Sequence, residues 1–252
     1  MTEATLDRRM LLGGVALAGA VAATAASAQP APPAAAGFAI QPLPFDPKAV
    51  PGLSEKLLVS HHDNNYVGAV KRLGAIRAEF GKLDPATAPV FEINGLKREE
   101  LIAMNSMILH EIYFDGLGES GGDDPGGPLA AALERDFGSV ARWRAEFVAM
   151  AKAQGGGSGW TLLSWSPRAG HLVNAWAADH THGIADGVPV LALDMYEHAY
   201  HMEFGAKAAA YVDAVMRNIH WERVGQRYER ASVALPPPAP ARLDAAGGVV
   251  AT

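Results

Sequence analysis

Residues 191–201, LALDMYEHAYH, place two acids and two histidines directly after an apolar run. The run that ends at Leu193 predicts a buried strand, because it is short, apolar and bounded by glycine and proline. Asp194 lies four residues before His198, a spacing that lets both side chains face one way if the segment is helical. One Asp-x-x-x-His pair is common by chance, so the case for a binding site depends on partners elsewhere in the chain.

The further ligand candidates are histidines in apolar surroundings. His61 lies in the first predicted helix, His110 in the second, and His198 follows the last predicted strand. With Asp194 they make a set of three nitrogens and one carboxylate, which suits iron or manganese, with zinc as the competitor on ligand type. His62 is an alternative to His61, and His110 taken alone is more typical of a hydrogen-bonded core residue. The chain has no cysteine, so any metal must be held by nitrogen and oxygen.

The first half of the chain has the pattern of a helical hairpin. Ser54 is a candidate N-cap for the first helix. In the second helical stretch we place apolar side chains on one face, namely Leu101, Met104, Ile108 and Ile112. A glycine-rich segment, GESGGDDPGGP, then predicts a boundary. We therefore expect an N-terminal helical hairpin domain over residues 38–118.

The second half mixes helices with short strands. After a helical stretch, the runs WTLLSWS, HLVNAWAA and VPVLALD predict a small three-stranded antiparallel sheet. The pattern returns to helix over residues 197–219 and again in WERVGQRYERA. The prediction is an α+β fold in which a C-terminal α/β domain, residues 119–231, carries this sheet and its flanking helices.

The N-terminus has the layout of an export signal over residues 1–28. Arg8 and Arg9 precede an apolar stretch that closes on an Ala-x-Ala site at residues 26–28. The paired arginines favour the twin-arginine route, with delivery to the periplasm or outside the cell and no stable membrane association afterwards. A membrane-anchored N-terminus is the alternative.

Composition limits the partners. The net charge is −6 with both signs interspersed and no basic stripe, so nucleic acid is not an expected partner. Residues 29–37 and 232–252 are rich in proline, alanine and glycine, which predicts flexible ends.

Five stretches, taken in order, carry a resemblance to a known family. The chain resembles the iron/manganese superoxide dismutases over essentially all of residues 40–231. The most specific element of that family is an Asp-x-Trp-Glu-His-Ala-Tyr run after the last strand, which stands here as DMYEHAY with Tyr196 in place of tryptophan. The matching stretches are LPFDPKAVPGLSEKLLVSHH…YV, NSMILHEIYFDGL, DFGSVARWRAEF, GGGSGWTLLSW and VPVLALDMYEHAYHMEFGAKAAAYVDAVMRNIHWERVGQRY.

The resemblance implies conversion of superoxide to dioxygen and hydrogen peroxide at one iron or manganese ion per chain. It places the metal ligands on His61, His110, Asp194 and His198, the same four residues that ligand chemistry selects. In the family, a side chain beside the metal hydrogen-bonds a bound solvent molecule and tunes the reduction potential. His180 takes that position here, where most members have glutamine.

Tyr66 and His62 are implied as catalytic gateway residues, with one departure from the family. The spacer between the first ligand and Tyr66 is about three residues shorter than usual. Three residues turn a helix by about 300°, which is nearly one turn, so Tyr66 can still face inwards. The departure puts the substrate funnel in question more than the metal ligands.

The resemblance also implies a homodimer. Glu197 matches a glutamate that reaches across a twofold interface to the ligand histidine of the other subunit, which here is His198. His201 stands where the family has a tyrosine that bridges to the neighbouring subunit. Trp160 matches an aromatic wall of the site, and Phe114 replaces an aromatic-wall tryptophan.

We therefore expect an exported superoxide dismutase with superoxide as its substrate. Two rivals are a non-catalytic metal-binding protein on the same scaffold and a peroxidase-like reaction at the same site, because a fold alone does not fix a function. The complete ligand set and the solvent partner at His180 favour dismutation.

Overall fold

The computed structural model describes residues 38–118 and 124–235. The predicted export signal of residues 1–28 and the predicted flexible segment of residues 29–37 lie outside the described residues. None of the helices in the two described ranges is long and apolar enough to cross a membrane.

The first half forms the predicted helical hairpin. Helix α1 (Glu55–Ser60) leads through a π-helical turn (His61–Tyr66) into α2 (Val67–Phe80), and α3 (Val90–Asp115) packs against α2. The backbone N–H of Leu57 donates to the Ser54 side chain, so the predicted N-cap is confirmed. Capping of this kind satisfies one of the free N–H groups that every helix has at its start.

The π-helical turn contains the shortened spacer between His61 and Tyr66. A π-turn closes hydrogen bonds between residues five apart, one more than in an α-helix. His61 and Tyr66 are five residues apart and therefore lie about one turn from each other. Both are buried, each with 1% of its surface exposed. The turn keeps both side chains directed into the protein although the segment is short.

The buried face of α3 differs from the predicted one. Leu101 and Ile108 are exposed, at 46% and 38%. Two of the side chains that α3 buries, Ser106 and His110, are polar. The full set of buried residues in this helix is Ala103, Ser106, Met107, Leu109, His110, Tyr113 and Phe114. Apolar residues occur on most sides of this helix, so their periodicity does not select the inward face.

The second half contains the predicted sheet. Helices α4 (Gly127–Phe137) and α5 (Val140–Ala153) precede three strands, β1 (Trp160–Ser166), β2 (His171–Ala177) and β3 (Val188–Asp194). The strands are antiparallel in the order β2-β1-β3, and β1 is buried along its whole length. The predicted α+β fold is confirmed.

The segment after β3 is not the continuous helix predicted for residues 197–219. It consists of a 3₁₀ turn (Glu197–Ala199), a four-residue helix α6 (His201–Phe204) and helix α7 (Ala208–Arg217). Gly205 interrupts the helical path with φ of +54°, a conformation that glycine adopts at little cost. Asp194 therefore belongs to a strand, and a turn rather than a helix brings His198 back beside it.

The last helix, α8 (Trp221–Ala234), contacts both α3, which carries His110, and β3, which ends at Asp194. Its Arg227 donates to the backbone carbonyl of Val190 in β3 at 2.6 Å and pairs with Asp115 at the end of α3. The helix ends three residues beyond position 231, so the predicted flexible tail begins as helix. Through Arg227, helix α8 thus holds α3 and β3 together.

Gly159→Ala is expected to lower the free energy of unfolding by about 2–4 kcal/mol. Gly159 has φ of +132°, and a Cβ there would collide with the carbonyl oxygen of Ala177 at the end of β2. Gly156→Ala is the matched control, because φ is +82° there and the new Cβ meets no described atom within 4 Å. We expect the control to cost about 1 kcal/mol. Equal losses of stability in denaturant unfolding would contradict a steric role for Gly159.

Candidate metal centre

Four side chains from four separate elements converge at one buried point. His61 begins the π-helical turn, His110 lies in α3, Asp194 ends β3 and His198 lies in the 3₁₀ turn. One ligand atom from each lies within 4.8 Å of all the others. The structure brings His61, rather than the alternative His62, to this cluster.

The spacing of the cluster fits a single metal ion. Oδ2 of Asp194 lies 3.1 Å from Nε2 of His61, 3.1 Å from Nε2 of His198 and 3.4 Å from Nε2 of His110. Metal–nitrogen bonds of about 2.1 Å place neighbouring ligand atoms roughly 3–4 Å apart around an ion. Only the His198 side chain is partly exposed, at 27%.

The position of the ring proton on His110 indicates most clearly that the cluster suits a cation. Its Nδ1–H donates to the backbone carbonyl of Ser106 at 2.6 Å, since a carbonyl oxygen can only accept. Burial lowers the pKa of His110 to about 3, so the ring is neutral at pH 7 and Nε2 carries a lone pair. That nitrogen has no hydrogen-bond partner within the described residues and faces the Asp194 carboxylate. Two electron-rich atoms facing each other form a site that a cation fits.

Asp194 stays ionised in spite of its burial. Desolvation alone would raise the pKa of the carboxyl, but hydrogen bonds from His198 and His61 hold it well below its usual range. The second carboxylate oxygen accepts from the backbone N–H of Tyr196 at 2.8 Å. Burial also lowers the pKa of His61. The cluster therefore combines the neutral imidazoles of His61 and His110 with one buried negative charge.

His180 lies beside the cluster with a fixed tautomer. Its ring centroid is 6.1 Å from that of His110. The indole N–H of Trp160 donates to Nδ1 of His180 at 3.0 Å, and an indole has no acceptor, so the ring proton of His180 is on Nε2. Burial lowers the pKa of His180, which favours the neutral ring. The result is a neutral imidazole with one N–H available for donation.

His62 and Tyr66 lie together, with their ring centroids 5.1 Å apart. Nε2 of His62 donates to the backbone carbonyl of Gln41 at 2.9 Å. The Tyr66 hydroxyl donates to the Glu111 carboxylate at 2.9 Å and accepts from the backbone N–H of Gln41 at 2.8 Å. Both residues line a cavity of about 500 Å³ that also reaches Phe114. Phe114 in turn contacts the His61 ring, with the centroids 5.1 Å apart.

Comparisons with known proteins place these residues in a family. Residues 125–227 match the C-terminal domain of iron/manganese superoxide dismutases. The chain is 66% identical over 194 residues, covering 77% of this chain and 98% of the relative, to the protein named superoxide dismutase [Fe] of Cupriavidus metallidurans. It is 32% identical over 197 residues to superoxide dismutase [Mn] 1 of Halobacterium salinarum, covering 77% and 96% of the two chains.

The chain belongs to the iron/manganese superoxide dismutase family. The resemblance seen in the sequence is therefore confirmed. The family includes members with either metal in their names, so membership alone does not choose between iron and manganese.

The residues predicted to serve a superoxide dismutase interface lie at the surface. Glu197 and His201 have side chains 59% and 58% exposed, with Oε1 of one 4.0 Å from Nδ1 of the other. Trp160 is fully buried, and its ring stands edge-on to that of His110 with centroids 5.2 Å apart. The dimer itself stays a prediction.

Three residues around this superoxide dismutase site were not predicted from the sequence. Ser106 sets the tautomer of His110 from one helical turn earlier, and that spacing of four was visible in the sequence. Asn105 donates to the backbone carbonyl of His180 at 2.6 Å, and Glu111 accepts from Tyr66. These two contacts join segments distant in the chain, so no local pattern indicates them.

Proposed function

We propose that this protein is a superoxide dismutase that converts superoxide to dioxygen and hydrogen peroxide at one bound iron or manganese ion. The observation that carries this function is the unpartnered Nε2 of His110, which faces Asp194 within a complete ligand set. The relative with 66% identity is named an iron enzyme, which favours iron over manganese.

The ligand set suits an ion that changes its oxidation state. A bound iron or manganese ion would supply one-electron redox chemistry, oxidising one superoxide and reducing another. His61, His110 and His198 would supply three nitrogen ligands, and Asp194 would supply one negative charge that favours the oxidised ion. The fixed tautomer of His110 keeps its Nε2 free of a proton and ready to bind.

His180 supplies a proton at a defined atom. The Trp160 indole N–H donates to Nδ1 of His180. The Nε2–H on the other side of the ring is therefore free to donate to an oxygen species next to the ligands. Reduction of superoxide to hydrogen peroxide consumes two protons, so a donor held beside the ligands serves that half of the reaction. Replacing this donor changes both proton supply and reduction potential.

Tyr66 holds its proton firmly and orients it towards Glu111. Burial raises the pKa of Tyr66 to about 12, so the phenol stays protonated at neutral pH. The Tyr66 hydroxyl donates to Glu111, and Tyr66 and His62 both line the 500 Å³ cavity. We therefore assign these two residues to the wall of that cavity. In this position they shape access to the ligands and do not donate to them directly.

We further propose a homodimer and an exported protein. The exposed Glu197 and His201 side chains, next to the partly exposed His198, support an interface at this end of the site. Export by the twin-arginine route rests on Arg8, Arg9 and the apolar stretch that follows them.

The test is the metal content of the protein together with its rate of superoxide decay, before and after chelation. We expect about one iron or manganese ion per chain, a loss of activity of at least about a hundredfold on metal removal, and recovery on reloading with the native metal. Reloading with zinc, which has no second oxidation state, should restore binding without activity. One ion per chain without dismutase activity would instead favour a non-catalytic metal-binding protein.

A further inference from the structure

Three aromatic rings form a continuous stack beside the ligands. Tyr196 lies between His180 and His198: its ring centroid is 4.7 Å from that of His180 and 5.3 Å from that of His198. The planes are nearly parallel, at 14° and 15°. The Tyr196 ring therefore packs in parallel against both a candidate proton donor and a candidate metal ligand.

The remaining contacts of His180 come from other parts of the fold. Trp160 in β1 donates to Nδ1 of the ring, and Asn105 in α3 donates to the backbone carbonyl. These contacts hold one edge of the ring and its backbone, but a ring held at one edge can still tilt about that bond. A flat, parallel neighbour restricts that tilt because the two rings lose contact when it occurs.

Tyr196 is itself well anchored. It follows Asp194 by two residues, and its backbone N–H donates to Oδ1 of Asp194 at 2.8 Å. Burial raises the pKa of the Tyr196 hydroxyl to about 12, so the phenol stays protonated at neutral pH. The tyrosine is thus held at its backbone while its ring lies against the ring of His180.

We infer that Tyr196 is a positioning residue that holds the His180 ring by stacking and links its orientation to that of His198. This inference rests on the proposed function, in which His180 donates a proton from Nε2. In this role Tyr196 acts through its two ring neighbours, His180 and His198. A shift of the His198 ring would be transmitted through the stack to the proton donor.

The test compares Tyr196→Met, which removes the flat ring, with Tyr196→Phe, which keeps it and loses only the hydroxyl. The first readout is exchange of the Trp160 indole N–H with solvent, measured by NMR in protein loaded with diamagnetic zinc. We expect exchange at least about tenfold faster in Tyr196→Met, because His180 no longer stays at the indole, and within about threefold of wild type in Tyr196→Phe.

The second readout is kcat of the enzyme carrying its native metal. We expect Tyr196→Met to lower kcat about tenfold at unchanged metal content, and to lower it less than twofold further in a His180→Ala background. Tyr228→Phe, which removes a tyrosine hydroxyl elsewhere in the core, should leave kcat and indole exchange unchanged. An equal loss of kcat in both backgrounds, or unchanged indole exchange in Tyr196→Met, would overturn the inference.

A measurement on the unmodified chain covers the case in which Tyr196→Met does not fold. In the zinc-loaded protein, nuclear Overhauser contacts between the ring protons of His180 and Tyr196 are expected, with the His180 proton on Nε2. Absence of these contacts, or a proton on Nδ1, would refute the positioning role. If the wild-type protein binds metal but lacks dismutase activity, the proposed function fails. The nuclear Overhauser measurement still shows whether the Tyr196 ring packs against the His180 ring.

Discussion

Replacing Asp194 with alanine is expected to reduce the bound metal from about one ion per chain to less than about a tenth, and kcat/KM for superoxide by at least about a thousandfold. Asp194 is the only carboxylate of the described ligand cluster, and its Oδ2 lies within 3.4 Å of all three imidazole nitrogens. Without it, the site loses one ligand and the charge that offsets the cation. Metal analysis and stopped-flow superoxide decay measure the two losses.

Asp194→Asn separates the chemistry from folding. The amide oxygen can still accept from the Tyr196 backbone N–H, so the turn after β3 is kept while the negative charge is removed. Asp186→Asn is the control in the turn before β3, because Asp186 accepts from the Ser166 hydroxyl and the Arg168 backbone N–H and is not part of the ligand cluster. Full metal content and activity in Asp194→Asn would show that the assigned ligand set is incorrect.

The metal-free protein is expected to lose stability as the pH falls from about 6.5 towards 3. Burial lowers the pKa of His110 from its ordinary 6.5 to about 3, and also lowers the pKa of His61. Between those values the unfolded chain binds protons that the folded chain does not, so acid favours unfolding. Asp194, whose pKa is also lowered, acts in the same direction below about pH 4.

The expected loss of free energy of unfolding from His110 is roughly 3–5 kcal/mol over this pH range, which corresponds to a fall in the melting temperature of roughly 10 °C. Calorimetry of the metal-free protein across this range measures it. His110→Gln cannot take up the proton, so its stability should depend less steeply on pH. An identical pH dependence in wild type and His110→Gln would exclude His110 as the buried group responsible.

The sequence predicted which side chains come together better than the geometry that joins them. Residue type, apolar surroundings and the family motif agree on His61, His110, Asp194 and His198, and the structure brings these four together. The three-stranded sheet was equally accessible, since its strands are short apolar runs between clear turns. Local pattern and tertiary structure point to the same answer at these positions.

What the sequence did not show depends on contacts across the fold. The π-helical form of residues 61–66 has no signature in residue type, and the inward face of α3 is set by packing that its apolar periodicity does not reveal. In the sequence, Tyr196 is only a tyrosine in place of the tryptophan of the family motif. Its place between His180 and His198 depends on a turn after β3 that had been predicted as helix.

The pairing of His61 with Asp194 has a consequence for how the protein is made. These two ligands are separated by 133 positions in the chain, and His198 follows four residues later. During synthesis, the nascent chain carries His61 and His110 long before Asp194 emerges, so it holds at most two of the four ligands until Asp194 has been made. Selective metal capture must therefore come late, after the loop between the ligands has closed.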